Sequence, residues 1–341
     1  MIISNINIVF LFASISFIIF LYLFKKISLP LNLIDEPNER KKHSGNIPLI
    51  GGLTIFTNIL IYSFYLNLDY HIQVIIYSSI ILLIMGAIDD SIDLRVTYRL
   101  IAQLISCLIV IGSGLIIKNI GTYMYFPKIE IGILSIAFTV ICVIGLTNAF
   151  NFMDGIDGLC AVLLLISIVS IISFSYFLNK TLPYNYEFLI IICISISIFL
   201  LFNLSNFFKI FLGDAGSITF GFIVSFLLIF YSQSNIEYIH PVLTIWCVTL
   251  IVFDFITVFI KRSIKGVNPF RPDRSHFHHI LMRHNLSPIK TLAIIFFTAF
   301  FLNMFGLTIF IFFGPTPSLL CFLGLLILYI FININIEKIL E

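Results

Sequence analysis

The chain has 341 residues, 60% of them hydrophobic and 11% charged, with a net charge of +2 and a mean hydropathy of +1.11. A soluble domain carries about 25% charged residues, so this composition excludes a cytosolic globular enzyme and a disordered chain. With no basic footprint it also excludes a nucleic-acid binder. A polytopic membrane protein remains, in which the position of each charge is the informative quantity.

Runs of about 17–25 apolar residues predict membrane helices. Eleven occur: 6–24, 49–66, 72–88, 98–117, 131–150, 158–178, 186–204, 215–231, 239–260, 289–313 and 318–336. The short connections between them imply a single all-α transmembrane domain over 1–341. The first run has no basic stretch before it, and Lys25 and Lys26 follow it, which predicts a retained anchor with its N-terminus outside. Sixteen of the 19 Lys and Arg residues fall in 25–48, 89–99, 205–213, 261–290 and the tail, against Lys118, Lys128 and Lys180 in the alternate loops. Cations collect in cytoplasmic loops, so the expected topology is N-out, C-in. The six cysteines (Cys107, Cys142, Cys160, Cys193, Cys247, Cys321) lie apart inside apolar runs and read as small hydrophobes.

Five short segments on the cytoplasmic side hold most of the chemistry: 25–48, 89–97, 148–158, 205–217 and 261–288. The first contains Asp35-Glu36-Pro37-Asn38-Glu39-Arg40-Lys41-Lys42-His43, a pattern that a basic membrane-surface segment would share. Next come Asp89, Asp90 and Asp93 at the end of the third run. Three anions at a helix C-terminus oppose its dipole and repel one another, so a cation must compensate; Arg95 and Arg99 are local candidates. In the third segment Asn148, Asn151, Asp154 and Asp157 recur every three residues, which places them along one drifting helical stripe. Such a ladder of oxygens suits a hard divalent cation, or a ribose and uracil edge. In the fourth, Phe211 offers a stacking surface and Asp214 falls near a helix N-terminus, where anions and their metals are tolerated.

The ninth run contains a carboxylate, Asp254. Ionisable groups at that depth usually face a cavity or a partner. The last segment holds Arg271-Pro272-Asp273-Arg274-Ser275-His276-Phe277-His278-His279. The histidines lack the i, i+4 spacing of a helical zinc pair and no Cys is near. Phosphate binding fits the Arg and His mixture better. Carboxylates for Mg2+ and a basic segment for phosphates, together at a membrane surface, predict a metal-dependent phosphotransferase with one lipid-borne and one water-soluble anionic reactant.

Five motifs, D-E-P-N-E-R-K-K-H, I-D-D-S-I-D, N-A-F-N-F-M-D-G-I-D-G-L, F-L-G-D-A-G-S and P-D-R-S-H-F-H-H-I-L, run in order from residue 35 to 281. With them the chain resembles the polyprenyl-phosphate N-acetylhexosaminyl-1-phosphate transferases, most closely the WecA type, and is related to the peptidoglycan branch. The resemblance implies that undecaprenyl phosphate attacks the β-phosphate of a UDP-N-acetylhexosamine, preferably UDP-GlcNAc, releasing UMP and starting an O-antigen or similar glycan. It further implies Mg2+, with Mn2+ as a substitute, held by Asp214 with Asn151 or Asp154, and is compatible with a homodimer. Catalytic roles fall to Asp89, Asp90, Asp93, Asp154, Asp157, His276, His278 and His279. Substrate contacts fall to Lys41, Lys42, His43, Asn148, Asp157, Phe211, Arg271 and Arg274. Asp89 is the candidate for deprotonating the lipid phosphate. Phe277 departs from the aliphatic residue usual at its position, and Glu36 and Glu39 add negative charge to a segment expected to approach anions. A secondary transporter would instead place its charges near the bilayer middle; here only Asp254 does so. The G-x-G-D pattern of an intramembrane aspartyl protease is absent around Asp214, as is the spacing of a CDP-alcohol phosphotransferase.

Overall fold

Each apolar run is helical in the computed structural model, which describes residues 2–36, 45–205, 207–233, 237–266 and 276–340, without the side chains of 2–10 and 336–340. The helices are α1 (Ile2–Ser28), α2 (Gly51–Tyr65), α3 (Tyr70–Ile92), α4 (Val96–Gly112), α5 (Ser135–Phe152), α6 (Leu159–Asn179), α7 (Tyr186–Asn203), α8 (Gly213–Gln233), α9 (Pro241–Cys247), α10 (Thr249–Ile264), α11 (Phe277–Arg283), α12 (Pro288–Phe313) and α13 (Pro315–Leu340). Among the described residues eight helices are long and apolar enough to cross a membrane, or nine if α9 and α10 form one bent span. The expected eleven is not reached on this measure. At 1.5 Å per residue, α2 and α4 extend only about 22 and 26 Å, short of a hydrocarbon layer of about 30 Å.

The predicted single span 239–260 is the other departure. It breaks at Val248, and α9 and α10 meet at 79°. No Pro or Gly stands at the break. Asn303 of α12 donates its side-chain N–H to the Cys247 carbonyl at 3.1 Å, which satisfies an acceptor that the interrupted helix leaves open.

α8 is the central helix, buried along almost its whole length and packed against α2, α3 and α5. A helix apolar on every side belongs in a core. Its N-terminal turn meets α3 so closely that a Cβ on Gly86 would lie 2.5 Å from Ala215 Cα. Only glycine permits that approach, and it brings the Asp89–Asp90 end of α3 onto the start of α8. A two-residue antiparallel ribbon, β1 (Ile34–Asp35) with β2 (Ile47–Pro48), leads into α2. Phe211 donates its N–H to Pro48 O and accepts from Gly51 N, at 2.9 and 2.8 Å. The loop before α2 and the loop before α8 are thereby fastened together. At the opposite end of the bundle, Gln233 accepts from the N–H groups of Lys118 and Asn119, and Lys128 pairs with Glu237. All six cysteines are unpaired thiols, as their placement in apolar runs implies.

Candidate active site

The start of α8, the end of α3, the α5–α6 turn and α11 surround a cavity of about 1780 Å³. Sites for one small ligand occupy about 300–1,000 Å³, so this one has room for two reactants. Its described wall carries eight carboxylates, among them Asp89, Asp90, Asp93, Asp154, Asp157 and Asp214, against the cationic Lys209 and Arg283 and the imidazole of His279. Lys41, Lys42, His43, Arg271 and Arg274 lie outside the described residues.

The aspartates are held individually. Asp89 accepts from Leu94 N at 2.6 Å and from Arg99 Nη1 at 2.9 Å. The same guanidinium nitrogen reaches Asp214 Oδ2 at 3.1 Å, so Arg99 bridges the two acidic motifs. Asp90 uses both oxygens to cap α8, accepting from Asp214 N at 2.8 Å and Ala215 N at 3.1 Å. A carboxylate is favoured at that pole of the helix dipole. Asp93 ends α3 in the left-handed region, at φ 54°. The Asp214 carboxylate accepts from Asn151 Nδ2 at 2.7 Å, and the same amide donates to Ser217 at 2.9 Å. Asn151 is thus a side chain that orients Asp214.

Asp154 lines the cavity with its side chain exposed to it, close to Asp157 and Asp214 in the same wall. Desolvation there, followed by repulsion from Asp214 and Asp157, raises its carboxyl well above the usual range. Asp157 pairs with the Lys209 ammonium, which also lies over the Phe211 ring at 5.6 Å from its centroid. Among the described residues no three His, Cys, Asp or Glu side chains form a ready-made metal cage. Mg2+ typically takes one or two carboxylates and completes its shell with water and substrate phosphates. The excess of carboxylates, and the mutual repulsion that perturbs Asp154, fit such an ion.

Three expected contacts sit elsewhere. Asn148 points away from the cavity and exchanges two hydrogen bonds with Gln103 of α4, at 2.7 and 3.3 Å. The three-residue spacing put it on the stripe of Asn151 and Asp154, but α4 covers that position. Among the three histidines, only His279 lines the cavity. His276 is buried against α10. His278 is buried on Gly155, where a Cβ would lie 2.3 Å from its Nε2, and neither of its ring nitrogens has a hydrogen-bond partner among the described residues. Burial, then the neighbouring His279 and His276, hold its imidazole neutral far below the ordinary histidine range. The sequence underrated Arg99 and Lys209. Arg99 was legible as a neutraliser of Asp89 but not as a bridge to Asp214, 115 residues away. Nothing local marked Lys209.

The family model for glycosyl transferase family 4 matches residues 72–232, the stretch that supplies all three acidic motifs. An undecaprenyl-phosphate alpha-N-acetylglucosaminyl 1-phosphate transferase of Salmonella typhi is 32% identical over 306 residues, covering 88% of this chain and 82% of the relative. The chain belongs to glycosyl transferase family 4. Family members of the same description in Yersinia pestis and Haemophilus influenzae are 31% and 30% identical. They cover 84% and 79% of this chain, and 80% and 77% of their own lengths. The aligned portion extends well beyond the family model, so the likeness is not confined to the acidic motifs.

Proposed function

We propose that this protein transfers N-acetylglucosamine 1-phosphate from UDP-GlcNAc to undecaprenyl phosphate, releasing UMP and initiating a surface polysaccharide such as an O-antigen. The observation that carries this reading is one large cavity, at one end of an apolar bundle, in which the acids of three separate motifs meet His279, Lys209 and Arg283. Sixteen of the 19 Lys and Arg residues belong to segments assigned to that end, which supports a cytoplasmic-facing site in the inner membrane with the N-terminus outside.

In this reading a phosphate oxygen of the lipid attacks the β-phosphorus of the nucleotide sugar. The bond to the bridging oxygen of UMP breaks, and UMP carries that oxygen away. Asp89 accepts the proton of the lipid phosphate, with Arg99 fixing its carboxylate. Asp157 and Phe211 contact the uridine, while His279 and Arg283 face the diphosphate. Asp214 and Asp154 would hold Mg2+, or Mn2+ in its place, and the ion would neutralise charge that builds on the phosphates. Asn151 keeps Asp214 turned toward that position.

Purified protein with Mg2+, undecaprenyl phosphate and a panel of UDP-sugars should release UMP with UDP-GlcNAc. Release with UDP-FucNAc or UDP-QuiNAc alone would move the assignment to another sugar of the same reaction. No release from folded protein with any sugar would overturn the enzyme reading.

A further inference from the structure

Asp254 is a carboxylate on α10 that the proposed reaction does not use. It is 2% exposed in a helix otherwise uncharged up to Lys261. A charge so placed is costly unless each oxygen finds donors, and here both do. Oδ2 lies 2.6 Å from His276 Nδ1, and Oδ1 accepts from Phe277 N at 2.8 Å. The Tyr329 hydroxyl of α13 lies 3.4 Å from Oδ1.

These contacts perform a specific task for α11. Its N-terminal residue, Phe277, has a free backbone donor, and His276 at the cap position makes no side-chain capping bond. Helices normally take that acceptor from the cap residue itself. Here it comes from 23 residues earlier, across two elements. The second oxygen meets the ring of the cap residue. A carboxylate oxygen here can only accept, so the contact with Oδ2 puts a hydrogen on Nδ1 of His276. One side chain therefore sets both the start of α11 and the tautomer of the histidine that precedes it. Further along α11, the His276 and His278 rings stack 6.0 Å apart, and the His278 and His279 rings lie 4.1 Å apart. His279 is the member that reaches the cavity.

We propose that Asp254 is the positioning residue of the histidine segment: from inside α10 it caps α11 and locks the Nδ1–H form of His276, and so fixes where His279 meets the substrate phosphates. The part concerning His279 and phosphate rests on the transferase reading. The anchoring of α11 does not.

Asp254→Asn separates the two tasks. Its carbonyl can still accept from Phe277 N, but its amide would face Nδ1 as a donor and force the proton to Nε2. On the full-length protein in detergent, with 15N-labelled histidine and the His276 signal assigned by its loss in His276→Gln, the wild type should show a protonated Nδ1. Asp254→Asn should show a protonated Nε2. Its kcat for UMP release should fall on the order of 100-fold, the scale of an ångström-level misplacement, with the KM for UDP-GlcNAc changed by less than about threefold. The proposal fails if wild-type His276 carries no proton on Nδ1, a result that needs no variant to fold. It also fails if Asp254→Asn is folded and keeps kcat within about threefold of wild type. If the wild type releases no UMP, the transferase reading fails by itself, while the nitrogen spectra still decide the anchoring.

Discussion

Arg99 is the most informative residue to perturb, because one guanidinium nitrogen contacts carboxylates of two motifs. The Asp89 side chain is 2% exposed, whereas those of Arg99 and Asp214 are 23% and 31% exposed. Removing one partner of a buried ion pair costs about 3–5 kcal/mol, and an exposed pair contributes about 0–1 kcal/mol. The contact with Asp89 therefore dominates. Because Arg99 is partly wet and Asp89 keeps its bond from Leu94 N, the low end, about 3 kcal/mol, is the appropriate figure for Arg99→Met. Thermal unfolding in detergent should show that loss as a clear drop in melting temperature. UMP release should fall by about 10- to 100-fold, the usual cost of removing a group that orients functional carboxylates. Arg99→Lys should recover part of the stability and less of the activity, since an ammonium lacks the planar fork. Turnover of Arg99→Met within threefold of wild type, with an unchanged melting temperature, would refute the bridging argument.

Asp214→Asn should reduce UMP release at least about 100-fold at the Mg2+ concentration that saturates the wild type, because in the proposed reaction Asp214 would hold the ion that neutralises the diphosphate; a rate restored by higher Mg2+ would show a milder role. Asn148→Ala should cost about 1 kcal/mol of stability through the stranded amide of Gln103 and leave the KM for UDP-GlcNAc unchanged, whereas a rise in KM would return Asn148 to the substrate. Acid should destabilise the protein partly through His278. The unfolded histidine takes up a proton as pH falls through about 6.5 while the folded one stays neutral, so stability is full above that pH and declines below it. The fall in melting temperature between pH 7.5 and 5.5 should shrink in His278→Leu, and an equal fall in both proteins would remove His278 from the account. Gly86→Leu should disrupt the meeting of α3 and α8, since its side chain would collide with the backbone of Ala215. Normal expression and activity would contradict that packing.

Several features were legible from residues alone because they depend on composition or local order. The apolar runs fix helices, since an unpaired backbone is prohibitive in lipid. The one-sided Lys and Arg, and the acidic motifs with their fixed spacing, pointed to a single charged end and to the transferase resemblance. Local order could not supply neighbours. Periodicity puts Asn148 on the same stripe as Asn151, yet α4 brings Gln103 to the first and α8 brings Asp214 to the second. Asp254 reads as an isolated cost until α11 folds back on α10 and gives it His276 and Phe277. At the bend by Val248, the carbonyl of Cys247 is satisfied by an amide from α12. A helix can specify which face a side chain occupies, because that follows from 3.6 residues per turn. What stands opposite that face depends on packing over long separations, and here close approaches such as that of Gly86 to Ala215 decide it.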